Sequence, residues 1–127
     1  MSDLRIPIHS EFDVMTARLE ARNLARRVGM NTGDQARLAM ATSSVAHELG
    51  MGGSHEGYIS IDELHENDQI GVQVTCTETS GPTPAATRTA IQDARWMVDS
   101  VKVEQLSAQA IQVTMTKWLL PVRGLAR

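Results

Sequence analysis

Apolar positions change their spacing several times along the chain, and each change predicts an element. Leu4, Ile6 and Ile8 alternate with Arg5 and Pro7, the period of a short strand. Pro7 has no N–H to give a neighbour, so that strand belongs at a sheet edge. Ser10 followed by Asp13 has the spacing of a capping box. Val14, Ala17, Ala21, Leu24, Ala25 and Val28 then recur at helical spacing until Gly29 supplies a stop. Arg18, Arg22, Arg26 and Arg27 fall largely on the other face of this helix. A second helix begins near Thr32 to Asp34 and carries Leu38, Ala41, Val45 and Leu49 on one stripe. Gly50, Met51, Gly52 and Gly53 end it in what reads as a flexible loop.

Beyond that loop the period becomes two. Tyr58 to Leu64 alternates, as do Ile70, Val72, Val74 and Cys76, and the polar Glu66, Asn67 and Asp68 between them suit a hairpin turn. Ser80 to Pro84 leads into a third helix with Ile91, Ala94, Met97 and Val98 on its apolar face. Val101 to Leu106 and Ile111 to Trp118 read as two final strands. The order is strand, two helices, two strands, helix, two strands. Its economical packing is an α/β two-layer sandwich, three helices on one face of a mixed, largely antiparallel sheet. The expected core includes Val14, Leu24, Leu38, Val45, Val72, Val74, Ile91, Met97, Val101 and Val113.

Composition narrows the function classes. A chain of 127 residues and 13.9 kDa, 42% hydrophobic and 21% charged, is one globular domain, taken as residues 1–127, with enough core to fold without staples. A formal charge of −3 and a pI near 5.7 argue against nucleic acid as the main partner. Aromatic residues at 3% are too few for stacking on bases. Cys76 is the single cysteine, which excludes an intrachain disulfide. The opening Met-Ser-Asp-Leu-Arg has no apolar signal core, and no run approaches the ~18 apolar residues of a membrane span. A cytoplasmic setting is the expectation.

The short chemical motifs fail one by one. His47-Glu48 opens like a zinc-protease helix, but Met51 stands where the second histidine belongs. His9, His47, His55 and His65 are scattered, as surface or loop histidines would be. Cys76, inside an alternating strand, reads as a buried structural thiol rather than a nucleophile. The glycine-rich loop at 50–53 lacks the Lys-Ser/Thr ending of a P-loop.

A family resemblance enters at the second helix. The run Gly29-Met-Asn-Thr-Gly-Asp-Gln-Ala-Arg-Leu-Ala-Met-Ala-Thr-Ser-Ser-Val-Ala-His-Glu48, with the glycines at 50, 52 and 53, resembles the N-box region of bacterial switch-protein serine kinases. Those kinases include anti-sigma factors and belong to the Bergerat-fold (GHKL) ATPases. Ile111 to Leu119 resembles their final strand, so the likeness covers nearly the whole chain and is nearest to the stress-response, partner-switching type. Asp34-Gln35-Ala36-Arg37 through Thr42 is its most specific piece.

The resemblance also says where this chain departs. The family's helix carries a Glu as catalytic base and, four residues later, an Asn that holds Mg²⁺. Here Ser44 stands at the Glu position and Glu48 at the Asn position. A serine hydroxyl is no base near neutral pH, whereas Glu48 could still offer a hard oxygen to the metal. The family's Asp-x-Gly-x-Gly, whose Asp receives the adenine amino group, is matched with Thr77-Glu78-Thr79-Ser80-Gly81, which keeps only the second glycine. The phosphate-cradling lid that follows is about a dozen residues too short.

The resemblance, less these boxes, implies a regulatory protein-binding module with a degenerate nucleotide site, little or no kinase activity and no cofactor. Catalytic residues would be absent, and Glu48, Thr77 and Gly81 would line what remains of the site. The alternative is a serine/threonine kinase using Mg-ATP, with Glu48 on the metal, that phosphorylates a STAS-domain antagonist. The implied partners are a STAS-domain antagonist or scaffold, or a sigma factor, with the chain a monomer or homodimer. Arg18, Arg22 and Arg26 recur every four residues and stack three guanidinium groups, either as a solvated helix face or for an acidic partner surface.

Overall fold

The computed structural model describes residues 4–81 and 84–119, apart from the side chains of 84–86. The elements follow the predicted order: β1 (Leu4–Ile8), α1 (Glu11–Arg27), α2 (Thr32–Glu48), β2 (Gly57–Glu66), β3 (Gln69–Glu78), α3 (Pro84–Arg95), β4 (Ser100–Gln105) and β5 (Ile111–Trp118). The strands form one five-stranded sheet in the order β1-β2-β3-β5-β4. Every neighbouring pair is antiparallel, so the sheet is not mixed as expected. The return from β3 through α3 and β4 brings β5 back against β3 in the opposite direction. β1 is an edge strand, where the missing N–H of Pro7 costs no ladder bond on the solvent side.

The β2–β3 hairpin turns on Asn67 and Asp68, at φ 50° and 65°, the left-handed pair of a type I′ turn whose twist matches the strands. Both long helices start on side-chain oxygens. The Asp13 carboxylate accepts the His9 and Ser10 backbone N–H groups at 2.8 and 3.2 Å, and Asn31 Oδ1 accepts the Asp34 N–H at 2.8 Å. Both end on a left-handed glycine, Gly29 and Gly50, followed by a methionine N–H that reaches back into the last turn.

The core lies between the helices and one sheet face. Val14, Ala17, Ala21, Leu24 and Ala25 of α1 meet Leu38, Ala41, Val45 and Ala46 of α2 over Ile59, Ile61, Val72, Val74, Cys76, Val113 and Met115. Among the described side chains of α3 the buried positions are Thr87, Ala90 and Ala94, with Val98 just beyond. Ile91, Met97 and Val101, expected inside, are only half-buried. The helix ends at Arg95, so Met97 lies in the turn and leaves the helical period.

The loop after α2 is not the free segment its glycines suggest. Met51 is 1% exposed, and the Gly52, Gly53 and His55 N–H groups donate to the carbonyls of His55 and Gly50. A Cβ on Gly52 (φ +85°) would stand 2.9 Å from Val14 Cγ2 and 3.1 Å from the Ser10 carbonyl oxygen. Glycine here permits close approach to α1 rather than movement.

Candidate functional site

β3 delivers the central group of the site. Its side chains alternate, with Val72, Val74 and Cys76 entering the core and Gln73 and Thr75 lining the open sheet face. Glu78 has the parity of Val72, Val74 and Cys76, and its side chain is fully buried. Oε2 accepts from His55 Nδ1 at 2.6 Å and from the Ser80 N–H at 3.0 Å. Oε1 is buried with no hydrogen-bond partner among the described residues. A carboxylate so placed has capacity for one further N–H or O–H donor.

His55 holds the other side of this pair. It is pinned by the loop after α2, and its ring lies so close to Gly50 that a Cβ there would meet Cδ2 at 2.8 Å. Neighbouring bonds close the same seam: the Thr79 N–H donates to the Glu56 carbonyl at 3.0 Å, and the Glu56 N–H donates to Ser80 Oγ at 3.0 Å. The other three histidines also face glutamates, His47 with Glu11, His65 with Glu63 and His9 with Glu56, but those pairs are exposed. Among the described residues no three His, Cys, Asp or Glu side chains converge as a metal site.

Thr77, assigned to the family's aspartate position by motif matching, sits in the other layer. Its Oγ1 accepts from Gln112 Nε2 at 3.0 Å, and Gln112 lines a polar hollow of about 380 Å³ on the open sheet face with Tyr58, Gln73 and Lys102. One residue on, Glu78 presents a carboxylate on the core side. Strand parity thus puts Glu78, and not Thr77, on the face that carries Val72, Val74 and Cys76. Gly81 follows at φ +87°, and Pro82 and Thr83, at the start of the shortened lid, lie outside the described residues.

Ser44 and Glu48 are half-buried and one turn apart on α2, as the resemblance requires. They share a shallow hollow of about 350 Å³ with Arg18, Met40, Ser43 and His47. The specific Asp34-Gln35-Ala36-Arg37 piece is structural. Asp34 meets Arg37 at 3.0 Å and the nearly buried Lys117 of β5 at 3.5 Å, while Gln35 donates to the Met30 carbonyl at 2.8 Å. Cys76 is fully buried, and desolvation pushes its thiol up to about 12.

The arginine stripe divides. Arg18 is half-buried and donates to Ser43 Oγ at 3.1 Å, which ties α1 to α2. Arg22 and Arg26 are exposed and make no ion pair among the described residues. Beside them stand Phe12, Met15 and Leu19, exposed apolar residues whose helical spacing is visible in the sequence.

Comparison with known proteins agrees with this geometry. The chain is 23% identical over 128 aligned positions to the serine/threonine-protein kinase RsbT of Bacillus subtilis (strain 168), covering 90% of this chain and 95% of that protein. Among solved structures it matches the RsbU and RsbW domains of Rv1364c from Mycobacterium tuberculosis with a TM-score of 0.63 and 17% identity. That match covers 94% of this chain but 34% of the other, so the chain spans about a third of that structure's length. No family model matches the chain. The sequence similarity to RsbT and the shared fold support the resemblance to GHKL-type switch kinases and anti-sigma factors.

Proposed function

We propose that the chain is a protein-binding regulator of a bacterial partner-switching pathway that carries out little or no phosphoryl transfer. Ser44 carries this reading. It occupies the helix position where the family resemblance calls for a carboxylate base, and its hydroxyl cannot take a proton from an attacking serine near neutral pH. Glu48 lies one turn on, in the place of the metal-holding Asn. With Mg²⁺ bound it would offer an oxygen, the remaining ligands coming from water and phosphate. The residues therefore offer a metal one oxygen but lack the base, and no transfer step follows from them. The partner is a STAS-domain antagonist or scaffold, or a sigma factor, held by surface contacts.

Glu78 favours a second reading, an ATP-dependent serine/threonine kinase that phosphorylates a STAS-domain antagonist. Its unpartnered buried oxygen suits a ligand amino group such as that of adenine. Incubation with a purified STAS-domain protein and γ-labelled Mg-ATP separates the two readings. The expected result is a complex on gel filtration and no labelled phosphate on the STAS protein. Label transferred in proportion to enzyme, and lost in Glu48→Ala, would establish the kinase instead.

A further inference from the structure

We infer that the outer face of α1 docks an acidic, apolar-faced segment of a protein partner. This rests on the partner-binding reading and adds the surface and its chemistry. Phe12, Met15 and Leu19 are 77%, 49% and 56% exposed, although they stand on a helix whose opposite face is buried. With 3.6 residues per turn, these three together with Arg22 and Arg26 fall within an arc of about 80° and run about 21 Å along the helix. Met40 of α2, 50% exposed, shares a hollow with Arg18 and widens the patch. Three of the seven exposed large apolar side chains among the described residues therefore lie on this one helix face, with Met40 of α2 beside Arg18. Scattered exposed apolar residues are ordinary, but a contiguous group rimmed by arginine has the make-up of an interaction site.

Charge decides the occupant. Arg22 and Arg26 are free cations on a chain whose net charge is −3, so they suit carboxylates that the rest of this surface would repel. A second copy of the chain does not supply them. Glu11 is engaged by His47 at 2.7 and 3.0 Å, and the Asp13 carboxylate by two backbone N–H groups. Two such faces laid antiparallel would set each guanidinium pair over Phe12 and Met15 with no free acid opposite. An anionic membrane fits less well, because the inner face of α1 is locked in the core and Glu11 and Asp13 at its start would face the headgroups.

The test uses the full chain and two fluorescein-labelled amphipathic helical peptides, one with a leucine row flanked by glutamates and one with lysines in their place. Anisotropy should show the glutamate peptide binding the native chain and the lysine peptide failing to bind. Arg22→Glu with Arg26→Glu should weaken the glutamate peptide at least about tenfold and turn the preference to the lysine peptide. Leu19→Ser should weaken binding with the preference unchanged. All variants should melt like the native chain, since the altered side chains are exposed. The inference falls if neither peptide binds at about 1 mM, a floor for specific recognition, or if both bind equally. It falls too if the chain sediments as a dimer that Leu19→Ser splits, or if phosphatidylglycerol vesicles capture it. A STAS-domain protein that binds the arginine variant as tightly as the native chain overturns this surface and leaves the proposed function standing. If no STAS-domain protein binds either form, the proposed function fails while the peptides still judge the surface.

Discussion

Removing the His55 imidazole should be among the costliest single changes at the candidate site. Glu78 is fully buried, and of its two oxygens only Oε2 is satisfied, by His55 Nδ1 at 2.6 Å and the Ser80 N–H at 3.0 Å. His55→Ala leaves one backbone donor for an entire buried carboxylate. Stripping a partner from a buried charged pair costs about 3–5 kcal/mol. The His55 side chain is 26% exposed, so water can enter the vacated space and bring the expected loss to about 2–3 kcal/mol. For a domain of this size that lowers the melting temperature by about 10 °C. Glu78→Met removes the charge together with its need for a partner, and should cost no more than about 1 kcal/mol, mostly from the Ser80 N–H it strands. The double variant His55→Ala, Glu78→Met should therefore be more stable than His55→Ala alone. Urea unfolding followed by circular dichroism, with m-values compared across the four proteins, measures this cycle. A His55→Ala loss below about 1 kcal/mol would refute the reasoning, as would a double variant no more stable than the single.

Two further outcomes follow from burial. Leu38 is fully buried between α2 and the sheet, so Leu38→Ala should cost about 2–5 kcal/mol in the same urea assay. Cys76, its thiol raised by desolvation from 9.0 to about 12, should resist iodoacetamide at pH 8 in the folded chain and react once urea unfolds it. The folded state holds this proton more tightly than the unfolded one. Its stabilising share is therefore complete below pH 9.0 and is lost as pH rises toward about 12, which unfolding midpoints taken across that window would show.

Periodicity made the elements legible because each buries one face. Val14, Ala17, Ala21 and Leu24 on α1, and Leu38, Ala41, Val45 and Leu49 on α2, are inside as their spacing required. Tertiary events were not legible. The glycines at 50–53 look like freedom in one dimension, and only the closeness of Val14 and Ser10 shows that Gly52 makes room for α1. Met97 kept a helical interval from Ala94, yet the helix had ended at Arg95. The pairing of His55 with Glu78 spans 23 positions, and no local pattern marks it. The exposure of Phe12, Met15 and Leu19 could be read from their spacing opposite the core stripe, and it gains meaning only beside free arginines.

Helices and strands respond differently to a one-residue shift in a motif match. Matching a motif one residue out on a helix turns a side chain by about 100°, which leaves it on a neighbouring flank. On a strand the same slip sends the side chain through the sheet to the other layer. Ser44 and Glu48 lie one turn apart on α2, whereas Thr77 accepts a hydrogen bond from Gln112, which lines the open face. Continuing the alternation of Val72, Val74 and Cys76 by one step leads to Glu78, and it does so from sequence alone. The exchange changes the account of what the chain has lost. With Thr77 at the aspartate position, binding and transfer both decay. With Glu78 there, as the second proposed reading has it, a carboxylate braced by His55 would survive at the binding end, and on the resemblance the base would be lost at Ser44 on α2. On the proposed reading, recognition and chemistry would be separable, β3 carrying one and α2 the other. The proposed regulator would shed the second and still present α1, which belongs to neither, to its partner.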